Sequence, residues 1–198
     1  MKILFAAPDR DLLECCKKLL ETDCGETVTA FDGTQVLYML EHESFDIVIL
    51  DRDIPRIDYR KIISRIHEKE LPVILLIDEP VSARQLTEEA LPTAYLSYPF
   101  TSGQLGGVIQ DITEKLSSGE NLDIFGTEII VSEFRLAGGC RLTVKEIDVL
   151  RSLLCGEHVT TSDGAYISAL NEKFTRTGSK ARIRYMTGNG FELVAENE

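Results

Sequence analysis

Phe45-Asp46-Ile47-Val48-Ile49-Leu50-Asp51-Arg52-Asp53-Ile54-Pro55-Arg56-Ile57-Asp58 is the stretch that decides the fold. Ile47 to Leu50 is an unbroken apolar run rich in β-branched residues, the pattern of a strand buried on both faces. Such a strand belongs in a parallel sheet covered by helices on either side. In sheets of that kind ligands and chemistry collect at the carboxyl ends of the strands. Asp51 stands where this strand runs out, and its position alone makes it a candidate site residue.

The flanking sequence repeats the theme. Apolar runs at 2 to 7, 26 to 31, 46 to 51, 72 to 77 and 94 to 97 alternate with helical patterns at 10 to 22, 33 to 43, 57 to 69, 81 to 90 and 102 to 117. Leu12, Leu13, Cys16, Leu19 and Leu20 mark the buried stripe of the first helix. Asp9, just before that stripe, reads as its N-cap. Alternation of this sort implies a parallel sheet with right-handed crossovers.

The chain has 198 residues, a net charge of -12 and a pI near 4.8. That balance argues against a generic polyanion binder, although the acid is concentrated in the N-terminal part. Five cysteines without a Cys-x-x-Cys pair or a histidine cluster give neither a disulfide framework nor a zinc site. No leader-like or membrane-spanning apolar run is present, so the expectation is a cytoplasmic protein with reduced thiols and no membrane partner. Ser117-Ser118-Gly119-Glu120-Asn121 is short, polar and aperiodic, and reads as a linker between a domain over 1–118 and a second over 122–198.

In the second domain, Leu122 to Phe125, Glu128 to Val131 and Glu133 to Leu136 read as short strands, followed by a turn at Gly138-Gly139. Thr143 with Glu146 three residues on is a capping box opening a helix over 144–155. His158 to Gly164 is too short and too polar for a core helix. A later helix carries Tyr166 to Phe174, and Ile183 to Leu193 reads as two strands around Thr187-Gly188-Asn189-Gly190. Lys173, Arg176, Lys180, Arg182 and Arg184 lie within twelve residues. They form either a track for a phosphate backbone or an ordinary solvated turn whose cations satisfy a helix dipole.

Asp51, Pro55 and Asp58 behind a buried strand resemble the Asp-x-x-x-Pro-x-x-Asp-Gly segment of response regulator receiver domains, with Tyr59 in place of the glycine. The resemblance implies a flavodoxin-like (βα)5 fold with Asp51 at the phosphoacceptor position. It also shows a degenerate pocket. The paired acids that bind Mg²⁺ fall on Ala7 and Pro8, the hydroxyl residue ending the fourth strand on Ile77, and the lysine before Pro-Phe on Tyr98. Of the five positions only the acceptor is kept. An aspartyl phosphate adds roughly two negative charges, which a metal ion and a lysine normally neutralise. The expectation is therefore a pseudo-receiver without metal or cofactor, independent of phosphorylation. The remaining route to a cation would use Asp9 and Asp53 as substitute ligands.

The second domain resembles the winged-helix DNA-binding domain of OmpR/PhoB-type regulators through its opening small sheet, Leu142-Thr143-x-x-Glu146, Ile167-Ser168-x-Leu170 and the glycine hairpin. This implies an α+β domain whose helix at Tyr166 to Phe174 reads DNA. The candidate contacts are Ser168, Asn171, Lys173, Arg176, Lys180, Arg182 and Arg184. Ala169, Asn171, Thr187 and Glu192 stand where arginines are usual, and Glu172 where a basic residue is usual, so binding is expected to be weak. The helix that braces the recognition helix is expected to be missing. A homodimer through the receiver follows from the apolar area this exposes and from Thr93, Ala94 and Val108 in place of the family's charges. Two functions stay open: an atypical regulator of transcription, and a remnant that contacts other proteins, such as a sensor kinase or another regulator. No catalytic arrangement of residues points to an enzyme.

Overall fold

A computed structural model describes residues 1–78, 91–187 and 190–196. The deciding stretch forms β3 (Ile47–Asp51), with all five residues buried. Its neighbours are β1 (Lys2–Ala6), β2 (Glu26–Ala30), β4 (Val73–Ile77) and β5 (Ala94–Ser97). They form one parallel sheet in the order β2-β1-β3-β4-β5. This is the flavodoxin-like order, and the direction of winding reverses between β1 and β3. Asp51 is at the carboxyl end of β3, beside that switch point, where crevices form in open α/β sheets. Ile3 to Ala6, Ile47 to Leu50 and Val73 to Leu76 are all at 0% exposure, as helices on both faces require.

Four helices accompany the described part of the first unit: α1 (Arg10–Asp23), α2 (Gly33–His42), α3 (Tyr59–Glu68) and α4 (Ser102–Ser117). The helix expected over 81–90 lies outside the described residues. Asp9 caps α1, its Oδ1 accepting from the N–H of Asp11 at 2.9 Å and of Leu12 at 3.1 Å. Leu13, Cys16 and Leu20 of the expected stripe are buried. Leu19 departs from it and stays 44% exposed, because it lies at the rim of a cavity described below. Asp32 caps α2 in the same way. At the next residue only glycine fits, since a Cβ on Gly33 would sit 2.7 Å from Cβ of Ile57. That close approach, with the Gly33 N–H donating to the Pro55 carbonyl at 3.0 Å and Arg56 3.3 Å from Asp32, pins the loop that follows Asp51.

The second unit begins at Thr113, inside the last part of α4. It contains an antiparallel sheet of β6 (Asn121–Ile124), β7 (Thr127–Ile130) and β8 (Arg135–Leu136). Two helices follow, α5 (Val144–Leu154) and α6 (Gly164–Arg176), and then a hairpin of β9 (Ala181–Met186) and β10 (Gly190–Ala195). The third expected strand is shorter than its apolar run, because Val131–Glu133 turns as a 3-10 helix before Arg135. The capping box is complete: Thr143 Oγ1 accepts from the Glu146 N–H at 3.2 Å, and the Glu146 carboxylate accepts from the Thr143 N–H at 2.7 Å. Between α5 and α6 the chain makes only the 3-10 turn Thr161–Asp163. Leu142, Ile147, Leu150, Leu170, Phe174 and Ile183 are among the core residues, each below 6% exposure. Small sheets with packed helices make this an α+β unit.

Candidate functional site

Asp51 is only 8% exposed, and its two carboxylate oxygens have separate partners. Oδ1 accepts from the backbone N–H of Asp53 at 2.7 Å, a turn made possible by the chain reversing directly after β3. Oδ2 accepts from the Tyr98 hydroxyl, also at 2.7 Å. Tyr98 is aimed there by β5: its own N–H donates to the Ile77 carbonyl at 2.8 Å, which fixes the residue over the ends of β4 and β5. Burial pushes the Asp51 carboxyl above its ordinary value despite the two hydrogen bonds, which pull the other way, and the charges of Asp53 and Asp78 add to the rise. Burial, and then the bond to Asp51, push the Tyr98 phenol upward as well. Tyr98 therefore stays a neutral donor across the physiological range.

Among the described residues no cation is paired with Asp51. Ala7 is fully buried and bonds through its N–H to Ala30, Pro8 is exposed, and Ile77 is 3% exposed. Asp9 takes the capping role read for it from sequence, with its Oδ1 accepting from the N-terminus of α1. Asp53 contributes its backbone N–H while its side chain is exposed. Among the described residues no three His, Cys, Asp or Glu side chains come together to hold a metal ion. The donor set of the described residues does not fit the Mg²⁺ of receiver pockets.

Sequence reading placed Tyr98 at a position that lacks its lysine, without giving it a partner. The signal was present in principle, a phenol at a strand end level with a buried acid, but pairing Tyr98 with Asp51 required the strand order. Asp78, one residue beyond β4, was missed for the same reason: its contribution is the charge it places near Asp51 and Tyr98.

The candidate nucleic-acid residues divide sharply. Lys173 is 8% exposed, and its Nζ donates to Glu146 Oε1 at 2.6 Å and Oε2 at 2.7 Å. This is a correction, since a lysine committed to a buried carboxylate is not available to a phosphate. Asn171 is likewise engaged within the unit: its Nδ2 donates to the Ile183 carbonyl at 2.9 Å and its Oδ1 accepts from the Ile183 N–H at 2.8 Å. The amide thereby joins α6 to β9 in place of reading a base. Arg182 is also turned inward, donating to the carbonyls of Ser179 at 2.8 Å and Ala181 at 2.6 Å, with Glu196 3.0 Å away. Ser168, Arg176, Lys180 and Arg184 are exposed, and Arg184 lies 3.1 Å from Glu196. At the end of the hairpin Tyr185 is 61% exposed and packs edge-on against Phe191.

Comparison with known proteins agrees with this architecture. Over 118 residues the chain is 33% identical to the transcriptional regulatory protein CpxR of Escherichia coli strain K12, which covers 58% of this chain and 50% of that protein. It is 32% identical over 75 residues to the response regulator GtcR of Aneurinibacillus migulanus, 37% of this chain and 31% of that one. The chain thus spans about half or less of the length of the curated relatives it matches. Among solved structures, the response regulator DrrB of Thermotoga maritima, described as an OmpR/PhoB homologue, superposes with a TM-score of 0.57 at 21% identity. That match covers 98% of this chain and 99% of DrrB. The chemotaxis response regulator CheY4 of Vibrio cholerae gives 0.52 at 22% identity, covering 55% of this chain and 95% of CheY4. At these identities the structural likeness speaks to the fold. The family model of the response regulator receiver domain matches residues 3–106, more than half of the chain, and takes in the sheet, the switch point and Asp51. On that match, the chain belongs to the response regulator receiver domain family.

Proposed function

We propose that this chain is an atypical response regulator that acts in transcription through a winged-helix C-terminal domain, with an output independent of phosphorylation at Asp51. The observation that carries the reading is the Tyr98 hydroxyl on Asp51 Oδ2 at 2.7 Å. It occupies one acceptor oxygen with a neutral donor, in a pocket where Ala7, Pro8 and Ile77 supply neither metal ligand nor hydroxyl. Phosphorylation would add roughly two negative charges to a carboxyl already penalised by burial, and among the described residues no cation is paired with it. The protein is read as a pseudo-receiver and not as an enzyme. Acetyl phosphate with Mg²⁺, followed by intact-mass measurement, is expected to leave the chain unmodified. A gain of one phosphoryl group that disappears in Asp51→Asn would refute the reading.

The transcriptional part draws on the relatives that carry that name and on the order of elements after α4, with α6 as the reading helix and β9-β10 as the wing. A role on DNA places the protein in the cytoplasm. The exposed candidates are Ser168, Arg176, Lys180 and Arg184, with Arg184 also paired to Glu196, so affinity should be weak and steeply salt-dependent. Gel shifts across a salt series test this, and Lys180→Ala with Arg184→Ala should lower the salt slope by about 2 if both neutralise phosphates. Homodimerisation through the receiver remains part of the proposal, checked by light scattering.

The alternative reading, a module for protein contacts with a sensor kinase or another regulator, is favoured by one specific observation. Lys173 and Asn171, both at positions that would face DNA, are spent on internal contacts. Absence of any mobility shift at low salt would favour that module.

A further inference from the structure

Between α1 and the segment running from Tyr98 into α4, the first unit holds a partly open cavity of about 330 Å³. Its walls include Leu12, Cys16 and Leu20 from α1, and Tyr98, Phe100 and Leu105 from the other side. Among the described residues no charged side chain lines it. The volume is at the small end of the range for cofactor and small-molecule sites, which run from roughly 300 to 1,000 Å³ and are mostly apolar. Space is left by small residues: Gly106 is on the wall, and a Cβ built there meets nothing within 4 Å. Leu19, 44% exposed at the rim, leaves the cavity open to solvent.

The lining selects the occupant. Tyr98 and Phe100 form an aromatic pair with ring centroids 5.1 Å apart, and burial raises the Cys16 thiol so that it lines the wall as a neutral, polarisable group. The Tyr98 hydroxyl is already given to Asp51, which leaves the Ser102 hydroxyl at the first turn of α4 as the side-chain polar handle. An anion or cation would be desolvated here without a partner. A compact neutral molecule of one or two aromatic rings would not.

We propose that this cavity binds a small, neutral, aromatic ligand, and that Tyr98, which is both a wall of the cavity and the donor to Asp51, transmits its presence to the strand-end pocket. The ligand takes the place of a phosphoryl group as the input. Seating a ring against Tyr98 changes the position of its phenol, and any such change alters the hydrogen bond its hydroxyl donates to Asp51. The consequence for output rests on the reading of Asp51 as unphosphorylated, but occupancy of the cavity does not, so the two can fail separately.

The test uses the full chain and Prodan, a neutral dye built on a single two-ring naphthalene whose fluorescence rises in apolar sites. Saturable binding of one dye per chain is expected, together with a shift of the Asp53 amide resonance at the same midpoint, since that N–H reports on Asp51 Oδ1. Gly106→Phe fills the cavity from a helix position with open space around its Cβ, and should weaken dye binding at least ~10-fold, equivalent to about 1.4 kcal/mol. At saturating dye, Tyr98→Phe should lose the Asp53 shift. Should Gly106→Phe not fold, Ser102→Tyr, exposed at the start of α4, closes the same mouth. Unsaturable binding, undiminished binding in a folded cavity-filled variant, or a silent Asp53 amide would each overturn the proposal. So would light scattering showing that Gly106→Phe breaks a dimer while dye binding is unchanged, since the face would then be a contact between copies.

Discussion

Asp51 and Glu146 are both buried acids, at 8% and 2% exposure, and the two units of this chain treat them in opposite ways. Glu146 receives an ammonium: Lys173 Nζ contacts both of its oxygens, and the Thr143 N–H and hydroxyl complete the set at 2.7 and 3.0 Å. Among the described residues Asp51 receives no cation, only a phenol and one backbone N–H. The same functional group is in one place a structural anchor and in the other a group that burial drives toward its neutral form. In a receiver the strand-end acid would be expected to have the charged partner. Here the charged partner belongs to the C-terminal unit, and it comes from a helix expected to use its cations on DNA.

The comparison is broken most forcefully by removing the cation. Lys173→Met leaves Glu146 buried without its counter-charge and should cost about 3–5 kcal/mol in denaturant unfolding of the C-terminal transition. A loss within the range of a surface substitution would mean that the pair is solvated and that Lys173 is free for other work. Adding Glu146→Leu should recover only part of the loss, because the capping box is removed with the carboxylate.

Asn171→Ala should come next, at about 1–3 kcal/mol, since it strips the partners from a backbone N–H and carbonyl of β9. Ser168→Ala, exposed on the same helix, should stay within about 0.5 kcal/mol. If both changes proved neutral for stability while weakening DNA binding, the structural role given to Asn171 would be wrong.

At the other acid, Tyr98→Phe should cost about 1 kcal/mol and raise the Asp51 pKa further, because the lost hydrogen bond is one of the two interactions that hold it down. A carboxyl-carbon NMR titration compares the two proteins directly. A lower value in the variant would contradict the geometry.

The smallest effect is a pH slope. Native Asp51 holds its proton more tightly than the unfolded chain does, so wild-type stability is favoured below the ordinary carboxylate range and declines as pH rises through the raised native value. Asp51→Asn cannot titrate, and should gain on the wild type as pH rises through that window, with the difference flattening at its acidic end. Thermal melts across the series check the sign, and a variant that loses ground with rising pH would reverse it.

Much of the fold was legible because it is written in local pattern. Ile47 to Leu50 read as a doubly covered strand, Asp9 ahead of Leu12-Leu13 read as a cap, and Thr143-x-x-Glu146 announced α5. Leu19 misled because its place in the helical stripe meets a cavity instead of packed neighbours. The site was legible in part: Asp51 followed from its strand, and the resemblance placed Ala7, Pro8, Ile77 and Tyr98 around it. What they do there was not legible. Glu146 illustrates the point, since its capping role could be read from a spacing of three and its partnership with Lys173 could not.

Sequence alone determined the alternation of strands and helices, the acid at the end of β3 and the start of α5, all of which depend on residues a few positions apart. Tertiary structure decided which groups answer one another. Tyr98 is 47 residues from Asp51, Lys173 is 27 from Glu146 and Asn171 is 12 from Ile183. A buried polar group must find a partner once water is excluded, and the fold alone settles which distant side chain is brought within reach.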